Sequence, residues 1–306
     1  MTQTVVSDRT AKLALTVDRF AFDLAQHWLL YVNVLLGISV LAPFAAPALM
    51  AIGATAPADA IYFFYGFLCH QLPQRSLFLF GHKASYSLAE ISRAWQYDNF
   101  LTLRAFIGNE AMGWKVAWSD RMVSMYGSLW IGGLIFALLR RRNPEREPAL
   151  TRGVPKGRGV LLSPPVWLFV GILPMGLDGL SHMINDIVAG LSGTGFRDTN
   201  AWLQFLTGNI FPAQFYAGDA LGSFNNLARL VTGALFGLTT VLFLYPFIET
   251  AMRDMERQAR ARLASPRAAA LGFSQRMETN TCPGGNASAG VSESKGADSF
   301  IRSGFV

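Results

Sequence analysis

The chain has 306 residues, of which 51% are hydrophobic and only 15% charged, with a mean hydropathy of +0.29. That balance is too apolar for ordinary water-soluble domains and points to a fold whose solvent is the bilayer. A net charge of +6 would suit a nucleic-acid ligand, yet the basic residues cluster just beyond apolar runs and not along a polar face, so no nucleic-acid partner is expected.

Residues 1–27 mix Arg9, Lys12 and Arg19 with Asp8, Asp18 and Asp23, and no small-residue cleavage site follows a short apolar core. They are expected to form an uncleaved cytoplasmic segment. Trp28 to Ile52 then gives 25 apolar-rich residues without a charge, about 37 Å of helix at about 1.5 Å per residue, enough to cross a bilayer. Pro43 and Pro47 should bend this first span near its end.

Ile61 to Phe80 is apolar but broken by His70, Pro73 and Arg75, so a re-entrant or interfacial helix is predicted there. Ala84 to Lys115 mixes aromatics with Glu90, Arg93, Asp98, Arg104 and Glu110, a pattern for short amphipathic helices on the membrane surface or a small cap over the bundle. Met122 to Leu139 is an uncharged run closed by Arg140, Arg141 and Arg142, and predicts the second span. The third follows, with Pro164 and Pro165 suited to a first helical turn and Pro174 predicting a kink. Thr199 to Gly218, interrupted by Gly208 and Pro212, predicts a second re-entrant or interfacial segment, and residues 230–248 predict the fourth span. Residues 249–269 read as a basic cytoplasmic helix and residues 270–306 as a disordered polar tail.

Orientation follows from lysine and arginine near the span ends. Residues 140–158 carry seven, and 249–267 carry Arg253, Arg257, Arg260, Arg262 and Arg267, whereas residues 178–229 hold only Arg197 and Arg229 against four aspartates. The expected fold is therefore an all-α integral membrane protein of the cell membrane with both termini cytoplasmic. Its four transmembrane helices fall at about 28–52, 122–139, 161–180 and 230–248, with re-entrant or interfacial helices on the outer face.

This topology gathers the scarce polar residues on one side: Cys69, His70, His82, Asp178, His182, Asp186 and Asp219 all fall outside. Ionisable groups at a membrane edge are costly and by default suggest function. Asp178, His182 and Asp186 recur every four residues and share a helix face, where a carboxylate can orient an imidazole, raise its basicity or share a metal with it. They could equally mark the solvated end of the span. Cys69 and His70 are good zinc or copper ligands, and with His182 they form a candidate site for a divalent metal ion; a buried free thiol beside a helix-capping histidine is the plainer alternative. Arg75 and Arg229 could anchor lipid phosphate or pair with Asp178 and Asp219. Asn226, Arg229 and Thr232 share one face of the fourth span, where Gly233 allows close helix approach. No phosphate-cradling glycine loop, His-Glu-x-x-His, Gly-x-Ser-x-Gly or Cys-x-x-Cys occurs, so an ATP-driven pump or standard hydrolase is not expected.

Cys69-His70-Gln71-Leu72-Pro73-Gln74-Arg75-Ser76, then Arg121 and Tyr126, Asp178-Gly179, and Asn226, Arg229, Thr232 and Gly233 together resemble the prokaryotic membrane proteins grouped as domain-of-unknown-function family 2085. The likeness spans about residues 60–245. Where that family shows Cys-x-Arg-Cys, this chain has Ser119-Asp120-Arg121-Met122, which removes two thiols from any metal site the resemblance implies. It implies no activity. The sequence therefore supports a binding or transport-related membrane protein whose outer cluster of Cys69, His70, Arg75, Asp178, His182 and Arg229 takes a small ion or lipid headgroup. The alternatives are a metal-assisted or acid/base enzyme acting on a lipid-linked substrate, with His182 as base, and a scaffold that assembles with other membrane proteins.

Overall fold

A computed structural model describes residues 8–142 and 164–271, with the backbone alone for Arg141, Arg142 and Arg267. The basic connector beyond Arg142, the first residues of the third span and nearly all of the polar tail lie outside the described residues.

Charge-free apolar runs become helices because a backbone without water must satisfy its amides internally. Four helices are long and apolar enough to cross a membrane: Asp8–Ala51, Asp120–Arg142, Pro164–Ala189 and Phe224–Leu263. Only 11–33% of the most apolar window in each is buried within the protein, so many leucines, isoleucines and phenylalanines of these helices face outward, an exposure that suits lipid. The first and fourth helices, at 44 and 40 residues, exceed the predicted spans because each continues without a break beyond the apolar run. Asp8–Gln26 and Glu249–Leu263 pair there through Leu15 and Leu263, an Arg262–Asp18 ion pair of 3.0 Å and the Arg260 guanidinium over the Phe22 ring.

The first helix runs on through Pro43 and Pro47. In the third, the turn at Trp167–Ile172 is π-helical and lies immediately before Pro174. Proline lacks the amide hydrogen that Val170 would accept, and the wider turn takes up that mismatch without a break. The fourth helix lies against the second through Gly233 and Gly237. A methyl group at Gly237 would sit 2.5 Å from the Met125 carbonyl oxygen, so only hydrogen permits this approach.

Between the first and second spans lies a cap that is not purely helical. Thr55–Tyr65 is a short helix, but the predicted helix over 61–80 ends at its front half: Pro73–Arg75 is one 3₁₀ turn and Ser76–Leu79 is a strand, β1. After helices Leu88–Ala94 and Phe100–Ala105, β2 (Gly108–Asn109) and β3 (Gly113–Ser119) complete an antiparallel sheet in the order β1-β3-β2. The protein is thus mostly helical but not all-α. The alternating Trp114, Val116 and Trp118 favour a strand, and β3 is mostly buried, with Tyr65 and Tyr126 packed on Trp118. Lys115 lies at its centre with no exposed surface and donates from Nζ to the carbonyls of Gln71 (2.8 Å) and Arg104 (2.6 Å). Burial, reinforced by Arg104, draws its pKa down to about 7. Short helices Phe196–Thr199, Ala201–Thr207 and Ala213–Tyr216 form the connection between the third and fourth spans, where a re-entrant or interfacial segment is predicted.

Candidate functional site

Asp120 at the start of the second span, Asp178 inside the third helix, Asp219 in the loop after it and Arg229 in the second turn of the fourth helix are brought near one another beneath the cap. Their side chains build one buried ionic network of four aspartates and four arginines.

One half is closed. Arg75, delivered by the 3₁₀ turn, donates from Nη1 and Nη2 to Asp186 at 2.8 Å and from Nε to Asp219 at 2.7 Å. Asp219 also accepts from Arg229 Nη1 at 2.6 Å, and Arg229 turns Nε and Nη2 to Asp120, at 2.8 Å each for the shortest contacts. Asn226 Nδ2 donates to the same aspartate at 2.6 Å. Burial opposes charge on Arg75, but Asp219 and Asp186 outweigh it and hold its pKa above the ordinary guanidinium value; Arg75 and Arg229 likewise hold Asp219 well below the usual carboxylate range. This half ties the cap, the third helix, the 190–223 loop and the starts of the second and fourth helices into one body.

The other half is open in its hydrogen bonding. Asp178 accepts from Arg121 Nη2 and from Arg197 Nη2, one on each oxygen, both at 2.6 Å. Arg197 Nη2 also lies 3.0 Å from His182 Nε2. A guanidinium only donates, so Nε2 is the acceptor and the ring hydrogen sits on Nδ1. That Nδ1, Arg121 Nε and Arg197 Nε are all buried without a partner among the described residues. All three are N–H donors on side chains grouped about Asp178, and one carboxylate there faces two guanidiniums. Burial pulls the pKa of Arg197 below its ordinary value and Asp178 offsets this only in part, the reverse of the balance at Arg75. Asn200 Oδ1 and Gln74 Oε1 are also unpartnered, but neither side chain bonds to Asp178.

Of the six residues singled out in the sequence, the fold brings Arg75, Asp178, His182 and Arg229 into this network and leaves the other two out of it. His70 is exposed, as is His82. Cys69 is buried in the aromatic cluster with Tyr65 and Trp118, where its sulfur accepts the Gln71 amide at 3.4 Å and lies 3.5 Å from Ser119 Oγ. With a serine at 119, Cys69 has no second thiol beside it among the described residues. Among the described residues, no three His, Cys, Asp or Glu side chains are arranged to hold a metal ion. Arg75 and Arg229 pair with Asp219 as anticipated, whereas Asp178 takes Arg121 and Arg197. Asp120 and Arg197 carried no signal of their own: one stands beside Arg121 ahead of an apolar run, and the other beside Asp198 in a connection between spans.

The fold and site define a helical bundle with four membrane-length helices, capped at one end over a buried ionic network. Across 158 residues the chain is 23% identical to an uncharacterised protein of Methanocaldococcus jannaschii, an alignment covering 51% of this chain. The chain spans 65% of that protein's length, under two thirds. No family model and no solved structure matches the chain.

Proposed function

We propose that this is a multi-pass membrane protein with a binding or transport-related role, and that its capped end takes up a small anion between Arg121, Arg197 and His182. The observation that carries this reading is the trio of buried, unpartnered N–H donors around a carboxylate already shared by two arginines. Buried donors without acceptors are costly, and an anion bound beside them would supply an acceptor. The acid/base enzyme reading draws less support: both Asp178 oxygens are taken by arginines, and the nitrogen through which His182 would act as base is occupied by Arg197.

Titration of the purified protein with chloride, nitrate and phosphate, followed by thermal unfolding at constant ionic strength, tests the reading. One of these anions should raise the melting temperature in a saturable way, and His182→Phe should weaken that anion's apparent affinity at least tenfold, about 1.4 kcal/mol. Identical, unsaturating responses to all three anions would refute it.

We further propose that the capped end faces outward and both termini lie in the cytoplasm, and that the likeness to domain-of-unknown-function family 2085 reflects common descent. Support for the sidedness is the arginine density at the other end of the bundle, with Arg140, Arg253, Arg257, Arg260 and Arg262. Cys69 is too buried to report on sides. In a background with Cys69→Ser and Cys282→Ser, a cysteine replacing exposed His82 should react with an impermeant maleimide on intact cells, and one replacing Arg257 should not. The opposite pattern inverts the topology.

A further inference from the structure

At the end of the bundle away from the cap, residues of the first, second and fourth helices line a cleft of about 1010 Å³. Its wall carries Leu30, Leu134 and Leu138, which are 56%, 40% and 60% exposed. Its rim carries Arg140, which follows Leu134 and Leu138 on the second helix, and Arg253 and Arg257, which lie beyond the apolar run of the fourth. The cleft is therefore layered, with a basic edge above an apolar side.

The arginines there are not used up by their neighbours. Arg140 and Arg253 both turn Nε to Glu249, at 3.1 and 2.6 Å, and among the described residues their Nη atoms hold no further hydrogen bond. Arg257 is mostly exposed, with one loose contact of 3.5 Å to Asp254. Glu256, the carboxylate on the lining, is engaged by Arg260 at 2.8 Å. Among the described residues that line the cleft, a zwitterionic headgroup finds no free carboxylate for its ammonium, whereas a phosphodiester meets guanidinium hydrogens that hold no hydrogen bond there.

We infer that this cleft binds an anionic phospholipid, its phosphate among Arg140, Arg253 and Arg257 and an acyl chain along Leu30, Leu134 and Leu138. The site is separate from the network under the cap and stands whether or not that network takes an anion. The layering matches the boundary between headgroups and hydrocarbon, where the fourth helix leaves its apolar run at Glu249 and continues as a basic helix. Glu249 offsets only one of the two charges on Arg140 and Arg253, and Glu256 is held by Arg260, so the rim keeps a net positive charge.

Native mass spectrometry of the full chain in detergent tests this with phosphatidylglycerol, phosphatidylcholine of the same chains, and glycerol phosphate without chains. Phosphatidylglycerol should be retained in preference to both others, and Arg257→Gln should weaken its retention about fivefold, the effect of one arginine near an anionic surface. Arg257 is exposed, so the variant's melting temperature without lipid should match the parent's and exclude misfolding. Equal retention of the two lipids, or retention unchanged in Arg257→Gln, would overturn the inference. Glycerol phosphate binding as tightly as the lipid would make this a site for soluble phosphate and overturn it too.

Discussion

The two ends of the bundle both bury carboxylates with arginines, but they do so differently. Under the cap four aspartates share four arginines; Asp186 and Arg121 keep 23% and 20% of their side-chain surface, but at the centre Arg229, Asp120 and Asp219 keep only 2%, 4% and 5%. At the opposite end one carboxylate, Glu249, is wholly buried, yet its partners Arg253 and Arg140 keep 21% and 27% of their side-chain surface, and Trp28 supplies the remaining contact from Nε1 at 3.0 Å. Where both members of a pair are buried, losing one strands the other. Where the arginine reaches water, it can be rehydrated when its partner is removed. The capped end should therefore be the more brittle of the two and the arginine end the more forgiving.

Asp120→Asn is expected to have the largest effect, because it strips Arg229 of a charged acceptor for Nε and Nη2 in a site closed to water. Thermal unfolding in detergent should record a loss of about 3–5 kcal/mol, the cost of breaking a buried ion pair. Glu249→Gln should cost less, about 1.5–3 kcal/mol, because only charge-assisted hydrogen bonds are lost and both arginines turn to solvent. An equal or larger loss for Glu249→Gln would break the comparison.

Lys115 sharpens it through pH. Its pKa in the cap, about 7, lies below the ordinary lysine value of 10.5, so between those values the unfolded chain holds a proton that the folded cap has released. Stability must then rise with pH across this window and reach its lowest contribution below pH 7. Hydrogen exchange of β3 amides, corrected for intrinsic rates, should show greater protection at pH 9 than at pH 7. Unchanged or falling protection would mean that the lysine is not desolvated as described. The smallest effect belongs to Arg262→Gln, whose guanidinium is 64% exposed beside Asp18; its loss should cost only about 0–1 kcal/mol in the same unfolding assay.

The spans were legible because lipid imposes one requirement, an uninterrupted run of apolar residues, and four such runs are present. The meeting of Asp178, His182, Arg75 and Arg229 was legible for the same reason, since topology alone puts those residues at one membrane face. The cap was not. The stretch Trp114-Lys-Val-Ala-Trp118 reads as surface when a lysine is taken to mean water, and only the carbonyls of Gln71 and Arg104, from other parts of the chain, make a buried lysine tolerable. Asp120 and Arg197 were silent because their meaning comes entirely from partners 109 and 19 residues away. Cys69 and His70 are adjacent in sequence, but the turn after Tyr65 buries one and exposes the other, so neighbouring ligand types did not become neighbouring ligands.

Anomalous diffraction from crystals grown in bromide tests the anion reading most directly. The account predicts a bromide peak within hydrogen-bonding reach of His182 Nδ1 and of the Nε atom of Arg121 or Arg197. Bromide found only on the exposed surface, with the space beside those donors filled by protein or water, would contradict it.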